Sequence, residues 1–149
     1  MGHQDIFQRA SFAHVCGDSI IAAIAGLALY ASFPPVGWWW LSVPALALFL
    51  SRIDEARAPR ALTVTFVFGM SFWVPLIDWI PLAVGTTPPW FVLAFVQTLF
   101  LMAWVLFARW TQLWRWARGP LVQALLFALT WTGVDAARSR WPWSGFPWG

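Results

Sequence analysis

The chain has 149 residues, of which 60% are hydrophobic and only 10% are charged, against about 25% charged residues in an average soluble domain. Such a composition cannot cover a soluble domain with polar surface, and it is typical of a membrane protein. The net charge is +3, but all nine basic residues are arginines in short runs between apolar stretches, which argues against a nucleic-acid-binding function.

The N-terminus does not read as a cleavable signal peptide. Residues 1–14 carry Asp5, Arg9 and His14, and no small-residue cleavage site follows the apolar run. Cys16 is the single cysteine, so no internal disulfide forms, and its apolar stretch follows it instead of preceding it as in a lipobox. We predict a cytoplasmic tail over residues 1–14 and a buried structural role for Cys16.

Five apolar stretches approach the length of about 20 residues that a membrane-spanning helix needs. In chain order they cover residues 15–33, 36–51, 61–84, 90–107 and 121–137. The first two are separated by a turn at Pro34–Gly37 and form a predicted hairpin, and Pro120 stands where a helix start tolerates proline. The sequence therefore predicts an all-α, polytopic transmembrane bundle of about five spans, with residues 138–149 beginning an extracytoplasmic segment.

The arginines predict the orientation of these spans. Seven arginines fall before the first span or in the second and fourth connections, and two follow the last span. Because arginine-rich connections stay on the cytoplasmic side, the N-terminus is predicted to be cytoplasmic and the C-terminus outside. The positions of the tryptophans agree with these spans, since indoles prefer the membrane boundary. Those predicted at the outer boundary are Trp38, Trp39, Trp40 and Trp90, and those at the inner one are Trp110, Trp114 and Trp116.

Few residues are candidates for chemistry. Asp78 is the acidic residue inside a predicted span, so it is either a functional carboxylate or close enough to the outer end to reach water. A transporter or channel would need more buried ionisable groups or an inverted repeat. Asp135 and Arg138 are three residues apart and share a helix face, as an ion pair ending the helix or as a polar anchor for residues 139–149. No catalytic set, metal-ligand spacing, cofactor motif or phosphate loop is present.

Three motifs in order resemble one family, apolipoprotein N-acyltransferase. The stretch 131–149 has a tryptophan, then Asp135 and Arg138, then Gly-Phe-Pro-Trp, although the acid in the family is commonly glutamate. Residues 33–41 (Phe-Pro-Pro-Val-Gly-Trp-Trp-Trp-Leu) resemble its first helical hairpin. Residues 69–79, with Thr-Pro-Pro-Trp at 87–90, resemble its third span and outer loop in actinobacterial members.

The resemblance implies acyl transfer at the outer leaflet of the bacterial inner membrane. Family members move an acyl chain from a phospholipid to the N-terminal diacylglyceryl-cysteine of a lipoprotein, through a thioester on a cysteine supported by a glutamate and a lysine. These three residues belong to a nitrilase-like domain that follows the membrane spans. This chain has no lysine, and Cys16 is predicted on the cytoplasmic side. We therefore expect the N-terminal membrane portion of the enzyme, from a fragment or a truncated or split gene, inactive by itself.

Within that resemblance, the predicted task of the chain is to hold lipid substrates at the outer interface. The residues assigned to this platform are Asp135, Arg138, Phe146, Pro147 and Trp148. No catalytic, cofactor-binding or metal-binding residue is assigned, and the predicted partners are membrane phospholipid and the lipoprotein substrate.

An alternative is a non-catalytic membrane anchor. Some actinobacterial relatives resemble this chain and have their membrane part joined to or paired with a cytoplasmic polyprenol-phosphate mannosyltransferase. The docking surface would then be the arginine-rich connections, 52–60 and 109–118. The competing interpretation of these arginines is ordinary topogenic charge near anionic lipid.

Overall fold

The structure, a computed structural model, describes residues 3–54, 56–113 and 119–140, with side chains from residue 15 onward. This part of the chain contains α-helices, a 3-10 turn at Trp39–Leu41 and no β-strand. The helices are α1 (His3–Ala31), α2 (Ser42–Asp54), α3 (Ala58–Leu76), α4 (Ile80–Val84), α5 (Pro88–Gln112) and α6 (Pro120–Arg138). The all-α prediction is confirmed for these residues.

The helices differ from the predicted stretches at their ends. The helix α1 continues into the predicted tail, from His3. The helix α2 begins at Ser42 and not at residue 36, because a turn and the 3-10 segment come first. Pro44 therefore lies in the first turn of α2, where its missing N–H breaks no hydrogen bond. The stretch 61–84 is divided, since α3 ends at Leu76 and α4 starts at Ile80.

Two of the described helices, α5 and α6, are long and apolar enough to cross a membrane. They have 25 and 19 residues, whereas the apolar part of α1, Val15–Ala31, is shorter. The 13 residues of α2 give a helix of about 20 Å, less than the hydrocarbon thickness of about 30 Å. Length and composition thus single out two helices, and the other predicted spans stay predictions.

The chain divides into two compact units, residues 1–98 and 99–149. In the first unit, the contacts define helix directions. Asp18 binds Arg60, and Gly26 lies against Phe68, so both contacts join residues 42 apart and α1 runs parallel to α3. The ring stack of Phe49 on Phe68, 4.0 Å between centroids, joins α2 to the same helix.

The first part of α5 runs antiparallel to α3. Near the start of α5, Trp90 bonds to Val74, and further along, Thr98 lies against Gly69. Since α2 returns from the end of α1 to the beginning of α3, successive long helices of this unit alternate in direction. Such alternation is what a chain needs if it crosses a bilayer repeatedly.

Two glycines lie where neighbouring helices approach closely. A Cβ on Gly26 would lie 2.5 Å from the carbonyl oxygen of Phe68 and 2.9 Å from the Cβ of Ser71. A Cβ on Gly69 would lie 2.8 Å from Thr98 Cγ2. Small residues at helix interfaces are typical of membrane bundles, where close backbone approach supplies the van der Waals contact. On α1, Ala22 and Ala25 near Gly26 are also fully buried.

Asp18 ties three helices together at one end of this unit. Its side chain is 8% exposed, and its Oδ2 accepts a hydrogen bond from Nε of Arg60, in the first turn of α3, and forms an ion pair with Nη2 of the same side chain. Nη1 of Arg52, in the last turn of α2, lies 3.9 Å from Oδ1. Because a buried carboxylate is costly unless it is paired, these arginines are what make its position tolerable.

The second unit is described over residues 99–113 and 119–140. Trp104 of α5 is buried and packs edge-on against two rings of α6, Phe127 at 4.5 Å and Trp131 at 5.0 Å between centroids. Tilted and edge-to-face contacts of this kind add about 0.5–1.5 kcal/mol beyond burial. Most of α6 is otherwise exposed, and only Thr130 and Arg138 are buried on it.

The contact at Gly26 generates a first prediction. Gly26→Ala should lower the free energy of unfolding by about 1–3 kcal/mol, because the new methyl group meets backbone that cannot rotate away. Gly17→Ala on the same helix is the matched control, since a Cβ there meets nothing within 4 Å. Reversible unfolding in detergent micelles measures both values. Equal stability of the two variants would contradict the close contact.

The ion pairs of Asp18 generate a second prediction. Asp18→Asn should lower the free energy of unfolding by about 1–2 kcal/mol, because charge-assisted hydrogen bonds are lost while Arg60 keeps access to water. The control is Asp54→Asn, which removes an exposed acid from the end of α2. In the same detergent titration, the free energy of unfolding of Asp54→Asn should stay near the parent value. A decrease of similar size in both variants would contradict the role of Asp18 in joining α1, α2 and α3.

Candidate functional site

The predicted pair Asp135 and Arg138 forms an ion pair in the last turn of α6. Nη2 of Arg138 donates to Oδ1 of Asp135 at 2.6 Å. The exposure is uneven, since the arginine side chain is 10% exposed and the aspartate 44%. The Ser139 amide and hydroxyl both donate to the Asp135 carbonyl oxygen, at 2.9 and 2.8 Å. These bonds close the end of α6 within the stretch 131–149 that resembles the family motif.

The pair lies where a cation suits the helix. Arg138 is at the negative end of the α6 dipole, so its charge is favourable there as well as toward Asp135. Its Nη2 points back along the helix to the preceding turn. The arrangement can brace the chain as it leaves α6. The other predicted platform residues, Phe146, Pro147 and Trp148, lie outside the described residues.

Asp78 lies in the turn between α3 and α4, and it is exposed. The helix α3 ends at Leu76 because Pro75 and the following turn interrupt it, so Asp78 is not in the middle of a helix. Of the two interpretations of this residue, the geometry favours the one in which its carboxylate reaches water at the helix end.

The end of the first unit that holds this turn also carries exposed tryptophans. The connection between α1 and α2 presents Trp38, Trp39 and Trp40, which are 56%, 76% and 56% exposed, and the rings of Trp38 and Trp40 stack at 6.4 Å. Phe33 holds this connection to α3 through its ring contact with Phe72, at 5.6 Å. This end is called the tryptophan end below, and the end with Asp18 and Arg60 the arginine end.

Trp90 has a role that sequence reasoning missed. Its Nε1 donates to the carbonyl oxygen of Val74 at 2.8 Å. Val74 is in the last turn of α3, where carbonyls have no amide partner inside the helix. The indole therefore caps α3 from α5, in addition to lying at the predicted boundary. The signal in the sequence was Pro75, which marks a helix end that needs outside donors.

The Asp18 pairs were also missed, because they depend on the register between α1 and α3. They bear on the alternative anchor function, which assigns the connection 52–60 to docking a mannosyltransferase. Arg52 and Arg60 are directed toward Asp18, while Arg57 is exposed at the start of α3. The contacts favour a structural role for two of these three arginines.

The described residues contain little that resembles a reaction centre. Cys16 is a free, exposed cysteine, which corrects the prediction that it is buried. No group of three or more His, Cys, Asp or Glu that could hold a metal occurs in residues 15–54, 56–113 and 119–140. A cavity of about 10 Å³ lined by Thr111, Gln123 and Phe127 has room for no more than one water molecule.

Comparison with known proteins identifies the family. The family model described as the apolipoprotein N-acyltransferase N-terminal domain matches residues 25–149. The apolipoprotein N-acyltransferase of Mycolicibacterium smegmatis is 42% identical over 88 residues, covering 57% of this chain and 14% of the relative. The proteins of the same name from Azotobacter vinelandii and Pseudomonas putida are each 29% identical over 87% of this chain, covering 26% and 27% of the relatives.

The chain thus spans between about one seventh and one quarter of the length of these curated relatives. No solved structure matches it. The resemblance predicted from the three motifs is confirmed, and the chain belongs to the family of the apolipoprotein N-acyltransferase N-terminal domain.

Proposed function

We propose that the chain is the membrane portion of a lipoprotein N-acyltransferase of the bacterial inner membrane. In this function, an acyl chain moves from a phospholipid to the amino group of the N-terminal diacylglyceryl-cysteine of a lipoprotein. The single observation that carries the proposal is the family match over residues 25–149. The names of the three relatives, all acyltransferases acting on apolipoproteins, support it.

The proposal includes five membrane crossings with a cytoplasmic N-terminus. Three features support it. The long helices of the first unit alternate in direction, and α5 and α6 have the length and hydropathy of spans. The arginine end and the tryptophan end lie at opposite ends of α3, through Arg60 and Val74. Arginine favours the cytoplasmic side, and tryptophan favours either membrane boundary, so this separation is consistent with α3 crossing the bilayer.

In this proposal, the chain binds the substrates, and the chemical step takes place elsewhere in the enzyme. The thioester chemistry of the resemblance needs a cysteine nucleophile with a glutamate and a lysine. This chain has no lysine, and Cys16 lies two residues from Asp18, at the arginine end. Under this proposal, those groups come from a domain outside these residues, placed on the opposite side of the membrane from Cys16.

The proposed contact with lipid substrates is the outer platform of Asp135, Arg138, Phe146, Pro147 and Trp148. The ion pair at the end of α6 supports it, because it stabilises the last turn of the helix from which these residues follow. An aromatic ring, a proline and an indole beyond that point suit the boundary between acyl chains and headgroups, where an indole buries its ring and keeps its N–H bonded.

A fusion enzyme tests this function. Residues 1–149 would replace the matching N-terminal part of the Pseudomonas putida relative in a strain depleted of its own enzyme. The fusion should restore N-acylation, read by mass spectrometry of lipoprotein N-terminal peptides. Trp148→Ala in the fusion should lower the acylated fraction at least about tenfold, the loss expected when about 1.4 kcal/mol of substrate contact is removed.

The matched control is Trp110→Ala, which removes an indole from the predicted inner boundary. It should leave the acylated fraction near that of the parent fusion, with equal amounts of each protein in the membrane. A fusion that inserts without restoring N-acylation would overturn the function, and equal activity of the Trp148 and Trp110 variants would overturn the platform alone.

A further inference from the structure

The tryptophan end of the first unit presents an apolar surface that none of its helices covers. Its members come from the connection before α2, together with Val43 in the first turn of α2, and from the segment between α3 and α5, which includes α4. They include side chains that are far more exposed than a leucine or valine usually is, with Leu82 at 89% and Val43 at 71%. The full set is Val36, Trp38, Trp39, Trp40, Val43, Trp79, Leu82 and Val84, called the shelf below.

The two connections are held at the same end of the unit by buried contacts. Beneath the shelf, Ile77 and Ile80 are 1% and 7% exposed and anchor the turn and α4. The ring of Phe33 contacts that of Phe72, and the indole of Trp90 caps Val74. Leu82 follows Ile80 by two residues and lies on the opposite face of α4, so it points outward because Ile80 faces inward.

The chemistry of the shelf indicates what covers it. A contiguous exposed apolar patch on a folded protein marks a contact with a partner or a membrane. A surface that binds a protein partner typically has a polar rim, and Arg is enriched in such interfaces. Here Asp78 is the one charged residue in the two connections, residues 32–41 and 77–87. Consecutive indoles with no charge instead match the boundary of a bilayer, where the ring is apolar and the N–H meets headgroups.

We propose that the shelf lies within the outer leaflet of the bilayer, at the level of the glycerol and upper acyl region of phospholipid. Short helix α4 then runs along the membrane boundary and is not part of a span. The inference rests on the membrane placement in the proposed function, but not on acyl transfer. Asp78, in the turn that leads into α4, is exposed and marks the headgroup side of the shelf.

Site-directed spin labelling tests the shelf on the whole chain in phosphatidylethanolamine and phosphatidylglycerol vesicles. In a Cys16→Ser background, single cysteines would be placed as Val43→Cys, in the first turn of α2, and Leu82→Cys, in α4, so that all indoles remain. Leu99→Cys, at an exposed position midway along α5, is the control for lipid, and Asp54→Cys at the arginine end is the control for water. Power saturation compares the access of oxygen and of a water-soluble nickel chelate to each label.

Labels at positions 43 and 82 should have an oxygen-to-chelate access ratio several times that at position 54 and below that at position 99. High chelate access at 43 and 82 would place the shelf in water, and low access to both reagents would place it under protein. Either result overturns the shelf when position 99 still reports lipid. Chelate access at position 99 would instead overturn the membrane placement in the proposed function, and the shelf with it.

Discussion

The close approach of α1 and α3 at Gly26 is the constraint on which the first unit depends. With no side chain there, the backbones come near enough for Asp18 to reach Arg60 at one end and Phe33 to reach Phe72 at the other. The same offset of 42 residues joins Gly26 to Phe68 and Asp18 to Arg60. A larger residue at position 26 would separate the helices and weaken both ends together.

The two ends differ in chemistry because their contacts differ. At the arginine end, a buried carboxylate is paired with Arg52 and Arg60, and in the proposed orientation the same two arginines would also be topogenic charges. At the tryptophan end, the indole of Trp90 donates to the carbonyl oxygen of Val74, and apart from Asp78 the exposed side chains of the shelf are apolar. This polarity, together with the ion pair that closes α6, supports the proposal of a membrane portion with its substrate contacts outside.

The all-α fold and the approximate places of the helices could be predicted, since long apolar runs allow few other structures in a membrane. The division of residues 61–84 could not, because hydropathy continues through Pro75 and the turn at Asp78. Asp135 and Arg138 were predictable as a pair from their spacing alone. The Asp18 pairs and the Trp90 cap were not, because they depend on the register between helices distant in sequence.

The central claim of the proposal is that α1, α2 and α3 cross the membrane, together with α5 and α6, which have the length and hydropathy of spans. Paired fusions of green fluorescent protein and alkaline phosphatase after Arg57 and after Thr86 test it most directly. The account predicts fluorescence after Arg57 and phosphatase activity after Thr86, since α3 would separate the two positions. The same reporter active at both positions would contradict it, because α3 would then not cross the membrane.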